Sequence, residues 1–124
     1  MSGRRLILIA DDDEDILALV KAVLERSGHE VVAVGDGAEA LASVRTRRPD
    51  LAVLDIAMPH VDGLEVLRRL RADAETTALP VVLLSAQAQE ADVERGFATG
   101  ASAYVKKPFS PRELAARVAE LLPL

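Results

Sequence analysis

The chain has 124 residues, the length of one domain, with 50% hydrophobic and 28% charged residues, the balance of a folded rather than a disordered protein. It has no cysteine, which excludes a disulfide framework, a thiolate metal site and cysteine catalysis and makes the cytoplasm the expected compartment. The net charge of −5 argues against direct nucleic-acid binding, and 2% aromatic residues are a poor supply for stacking bases or flavin rings.

In chain order, Leu6 to Ala10 is a short apolar run, read as a strand buried on both faces. It is too short for a spanning helix or a signal segment, although Arg4 and Arg5 precede it. No membrane segment is expected. Ile16, Leu17, Val20, Val23 and Leu24 recur at helical spacing, and Gly28 closes that helix. Val31, Val32 and Val34 form a second strand. Asp36 stands three residues before Glu39, the spacing of a capping box, and the helix that follows is stopped by Pro49. Leu51 to Leu54 is the third strand, and Asp62 with Glu65 repeats the capping spacing. Val81 to Leu84 is the fourth strand. A weaker helix follows around Ala91 to Ala98, with Val93 and Phe97 as its apolar stripe and Gly96 inside it. Ala103 to Val105 is a short fifth strand. Ser110-Pro111-Arg112-Glu113 then starts a last helix, whose stripe is Leu114, Val118, Leu121 and Leu122, and Pro123 ends the chain. Strand–helix alternation five times over implies an α/β fold, a doubly wound parallel sheet with helices on both faces.

Ligands of such sheets bind outside the carboxyl ends of the strands. The first strand ends in Asp11 and Asp12, the third in Asp55, the fourth in Ser85, and the fifth runs into Lys106 and Lys107. Asp13, Glu14 and Asp15 read as capping residues of the first helix. Asp11, Asp12 and Asp55 resist that explanation. Like charges ~4 Å apart repel by about 4 kcal/mol at an effective dielectric near 20, unless a proton or a cation intervenes. Hard oxygen ligands suit Mg²⁺. Asp62-Gly63 already supplies the turn after the third strand, so Asp55 is free to act, and a carboxylate facing a lysine can be a nucleophile toward phosphorus. Ser85, taken alone, could equally be a strand-end hydroxyl bonded to backbone. Strand alternation lets only one of Lys106 and Lys107 reach the rim. His29 and His60 lack metal-ligand spacing and read as surface or loop residues.

Four blocks then resemble the receiver domain of bacterial two-component response regulators: Leu6-Ile7-Leu8-Ile9-Ala10-Asp11-Asp12, Asp55-Ile56-Ala57-Met58-Pro59-His60-Val61-Asp62-Gly63, Val81-Val82-Leu83-Leu84-Ser85-Ala86, and Tyr104-Val105-Lys106-Lys107-Pro108-Phe109. The resemblance implies a CheY-like, flavodoxin-like fold of five strands in order 2-1-3-4-5. It implies Asp55 as phosphoacceptor, Asp12 as direct Mg²⁺ ligand with Asp11 close by, and the Ala57 carbonyl completing the protein ligands. Lys107 would contact the phosphoryl oxygens, Ser85 would bond the attached phosphoryl group, and Tyr104 would change rotamer with it. A cis Lys107–Pro108 bond is expected. Ala57 and Gln87 occupy positions that vary in the family and bear on phosphoryl lifetime.

The function so implied is Mg²⁺-dependent transfer of a phosphoryl group from a phosphohistidine to Asp55. The donor would be a sensor histidine kinase or a histidine phosphotransfer protein. The output would be a protein partner, or self-association, through the fourth helix, fifth strand and fifth helix. Residues 1–124 are expected to be a single receiver with no output domain, and not a turnover enzyme. The alternative is a receiver-like interaction module that is never phosphorylated. A dehalogenase-type phosphatase would need a different residue pattern after Asp11, a flavodoxin a Ser/Thr-rich loop there, and a nicotinamide-binding fold its glycine fingerprint.

Overall fold

The computed structural model describes residues 4–86 and 90–122, so Gln87, Pro123 and the side chain of Val93 lie outside the description. The continuous apolar runs become strands: β1 (Leu6–Ala10), β2 (Glu30–Val34), β3 (Leu51–Asp55), β4 (Val81–Ser85) and β5 (Ala103–Lys106). Between and after them lie α1 (Glu14–Arg26), α2 (Gly37–Arg47), α3 (Gly63–Ala72), α4 (Glu90–Thr99) and α5 (Pro111–Leu121). All pairings are parallel, in the order β2-β1-β3-β4-β5. Every residue of β3 and β4 is buried, as two-sided coverage of a parallel sheet requires.

Strand alternation divides the core in two. Leu8, Leu54 and Leu83 face Ala40 and Val44 of α2 and Val66, Leu67 and Leu70 of α3. Ile7, Ile9, Val53, Val82 and Leu84 face Val20 and Leu24 of α1 and Leu114 and Val118 of α5. Each such side chain contributes roughly 1.5–3 kcal/mol on burial. The caps stand where the spacing put them. Asp36 accepts from the Glu39 N–H at 2.8 Å, Asp62 from Glu65 at 2.8 Å, and the Ser110 hydroxyl from Glu113 at 3.1 Å. Glu65 does not return the bond: its carboxylate turns to Arg68 and Arg69. Arg48 ends α2 in the left-handed region, φ 47°, just before Pro49.

Phe97, one of the apolar residues of the weak helix α4, is 46% exposed and lies off the core. The contact is made instead at Gly96, which is buried: a Cβ there would overlap the Leu83 side chain and crowd Leu64. The helix lies so close to β4 that a backbone edge, not a large side chain, fits between them. Among the described residues no helix is long and apolar enough to cross a membrane.

Candidate functional site

Asp11 follows β1 directly, and its side chain is buried under the rim, 0% exposed. Its Oδ1 accepts from the Asp13 N–H at 2.9 Å, which turns the chain into α1, where Asp13 caps through the N–H groups of Asp15 and Ile16. Its Oδ2 accepts from Lys107 Nζ at 3.0 Å. Asp55 ends β3, 4% exposed, and its Oδ2 lies 3.3 Å from the same ammonium. Carboxylate oxygens of Asp11, Asp12 and Asp55 all lie within 4.8 Å of one another, with Asp12 exposed and the other two buried.

The β3–α3 turn folds tightly over Asp55. The Ala57 N–H donates to the Asp55 carboxylate. The Gly63 N–H donates to the Ile56 carbonyl at 2.9 Å, and a Cβ on Gly63 would collide with the Asp55 carbonyl oxygen. Glycine is therefore required for α3 to start where it does. His60, in the same turn, is exposed with φ 67°, a left-handed conformation uncommon outside glycine.

On the other side, Ser85 is 2% exposed and its hydroxyl donates to the Ala86 carbonyl at 3.2 Å. The Lys107 N–H donates to the Ser85 carbonyl at 2.7 Å, which seats the lysine next to β4, and the Lys107–Pro108 bond is cis. Lys106 is exposed; Lys107 is the one that turns inward. Tyr104, 41% exposed, meets Phe97 edge to face, with ring centroids 5.5 Å apart.

Burial pushes the Asp55 carboxyl up, the Asp11 charge pushes it further, and Lys107 with the Ala57 N–H only partly offsets them, leaving its pKa at about 6. For Lys107, burial works to lower the pKa. The bond to Asp11 and the charges of Asp55 and Asp11 outweigh it, so the ammonium is held above its ordinary value. The result is a buried carboxylate, more basic than usual, beside a cation that stays charged.

The structure thus brings Asp11, Asp12, Asp55 and Lys107 together, with Ser85 adjoining through the Lys107 backbone. It distinguishes the first two acids as spacing alone could not: Asp11 is the buried partner of Lys107 and Asp12 faces out. His29 is partly buried at the α1–β2 junction, where burial and then the Arg5 charge lower its pKa; His60 is in the turn as expected. Two supporting contacts have no signal in the sequence. Asp50 Oδ2 accepts from the Leu6 N–H at 2.8 Å, tying the start of β1, and Arg71 Nε donates to the Gly100 carbonyl at 3.0 Å. A cleft of about 290 Å³ among Val44, Arg48, Asp73 and Leu79 lies beside the starts of β3 and β4, on the edge opposite these groups.

Three acids and a lysine thus converge at the carboxyl edge of a doubly wound parallel sheet. The family model described as response regulator receiver domain matches residues 7–119, and the chain belongs to that family. It is 45% identical over 116 residues to the alkaline phosphatase synthesis transcriptional regulatory protein PhoP of Bacillus subtilis, covering 94% of this chain and 48% of that protein. It is 44% identical over 115 residues to the DNA-binding response regulator MtrA of Mycolicibacterium smegmatis, covering 93% and 49%. The crystal structure of a putative response regulator from Chloroflexus aurantiacus superposes with TM-score 0.92 at 35% identity, covering 97% of this chain and 98% of that one.

The chain spans about half the length of the curated relatives it matches. One expectation is overturned here. Acidic composition had argued against any direct nucleic-acid partner, yet MtrA is named a DNA-binding regulator. Net charge describes the surface of these 124 residues and says nothing of a protein twice as long.

Proposed function

We propose that Asp55 is the phosphoacceptor of this receiver domain and that Lys107 is its electrostatic partner. The observation that carries this is one ammonium, raised in pKa, within 3.3 Å of the buried Asp55 carboxylate and 3.0 Å of Asp11. With a pKa of about 6, Asp55 is ionised at neutral pH and available as a nucleophile. An Asp55 oxygen forms the bond to phosphorus as the bond to the donor's imidazole nitrogen breaks, and that nitrogen keeps the electron pair. Lys107 neutralises charge on the phosphoryl oxygens, which is the larger part of what a protein contributes to such a transfer. The Ser85 hydroxyl leaves the Ala86 carbonyl and donates to a phosphoryl oxygen. Tyr104, on the same strand face two residues from Lys106, follows it and alters the surface around α4, β5 and α5.

The residues fit Mg²⁺. Oxygens bound to one Mg²⁺ at roughly 2.0–2.1 Å lie about 3–4 Å apart, compatible with three carboxylate oxygens within 4.8 Å of one another. Asp11, Asp12, Asp55 and the Ala57 carbonyl would hold it, and when bound it would add positive charge against the phosphoryl oxygens. The product is a mixed anhydride that water can cleave, so the domain carries a reversible mark and turns over no external substrate. Its working compartment, on the lack of cysteine, is the cytoplasm.

The test is intact-mass measurement after incubation with acetyl phosphate and Mg²⁺. The native protein should gain one phosphate and Asp55→Asn none. Equal labelling of both would place the phosphate elsewhere, and no labelling of either would favour a receiver-like module that is not phosphorylated.

A further inference from the structure

We propose that Phe97 is the latch that holds Tyr104 in its solvent-facing position, and so sets how readily the phosphorylation site can draw that ring inward. The proposal rests on the reading of Tyr104 as the responding residue. The chain has three aromatic side chains, one Tyr and two Phe, and two of them meet here. Their centroids are 5.5 Å apart and their planes 79° from parallel, the edge-to-face arrangement that ring quadrupoles favour.

The two partners sit on different elements. Phe97 follows Gly96, where the α4 backbone meets the sheet. Gly96 before it is pressed onto Leu83 and Leu64, closely enough that no Cβ fits. Beyond it the Gly100 N–H donates to the Gly96 carbonyl at 3.0 Å, and Arg71 of α3 holds the Gly100 carbonyl at 3.0 Å. Tyr104 is on β5, an edge strand, paired with Leu83. It shares a sheet face with Ser85, since Leu83 and Ser85 are two residues apart on β4. At 41% exposure the Tyr104 ring is not locked by the core. A ring carried on α4 therefore faces one on β5 that lies beside the hydroxyl expected to shift.

An aromatic pair of this kind biases an equilibrium by about two- to tenfold. Phosphorylation must overcome that bias before the face can change. Phe97 is thus a positioning residue acting through Tyr104, not one that touches the phosphoryl group.

The sequence supplies the probe. Tyr104 is the single Tyr and there is no Trp, so tyrosine emission and tyrosine ring resonances report this side chain alone. The experiment compares native protein, Phe97→Ala and Phe97→Leu, first without Mg²⁺ or phosphoryl mimic and then during titration with beryllofluoride in the presence of Mg²⁺. The readouts are Tyr104 χ1 populations from NMR couplings and acrylamide quenching of its emission. Both variants should shift χ1 toward the inward rotamer by about two- to tenfold, with less quenching. The beryllofluoride concentration giving half-maximal change should fall by the same factor. Phe97→Leu keeps apolar bulk on α4, so it answers the question if Phe97→Ala loosens the helix. Unchanged χ1 populations in both variants would overturn the latch. A native Tyr104 that ignores saturating beryllofluoride would instead overturn the reading of Tyr104 itself, whatever the variants show.

Discussion

On the β1–β3 side of the rim, Asp11 and Asp55 are 0% and 4% exposed and share one lysine. On the β4–β5 side, Tyr104 and Phe97 are 41% and 46% exposed and meet edge to face. The difference follows from what each side handles. Buried charges are tolerable only with fixed partners, so the acids are bound by backbone N–H groups, a lysine and a tight turn. A side chain that must report an event needs an alternative position of similar free energy, and partial exposure with one weak ring contact allows it.

Removing the shared cation should break the rigid side most severely. Lys107→Ala leaves two buried carboxylates facing each other without a counter-charge. In chelator-treated protein at pH 7.5 it should cost about 3 kcal/mol by urea unfolding, with part regained when Mg²⁺ is added. A change below about 0.5 kcal/mol would mean that the pair with Asp11 and Asp55 is not what holds this side together.

Asp55→Asn should act in the opposite direction. The folded pKa of about 6 lies above the ordinary 3.8, so the native state keeps this proton more tightly than the unfolded chain does. Stability from that proton is full below the unfolded value and is lost as pH rises through the folded one. At pH 7.5 the ionised group therefore costs about 3 kcal/mol. Without metal, Asp55→Asn should gain up to that amount, and the gain should fade as pH falls and vanish below about pH 3. A difference that does not vary between pH 4 and 7.5 would contradict the assignment.

How much of this contrast was legible beforehand depends on the range of the interaction involved. Strands, helices and caps are local, and Asp36–Glu39, Asp62–Glu65 and Ser110–Glu113 announced their helices by spacing alone. The rim followed from reading which residue ends each strand. Sheet order came from resemblance, because period and capping do not say which strand pairs with which. The depth of Asp11 against Asp12 was hidden, since adjacent residues past a strand end are both plausible at a rim. The exposure of Phe97 was hidden because helical spacing cannot tell a core position from one whose neighbour Gly96 already fills the contact. Arg71 reaching the Gly100 carbonyl, 29 residues away, has no sequence pattern at all.

On the looser side, Tyr104→Ala should change unfolding free energy by no more than about 1 kcal/mol, since a large part of the ring is already in water. A loss of several kcal/mol would make Tyr104 a core residue and erase the contrast between the two sides.

The contrast is tested most directly by amide hydrogen exchange of the native protein with and without beryllofluoride and Mg²⁺. Without them, exchange should be slowest in β1 and β3 and faster in α4 and β5. With them, the largest changes should fall in α4 and β5, remote from the chemistry, and shrink in Tyr104→Ala. Changes confined to the turns around Asp12 and Asp55 would contradict the account.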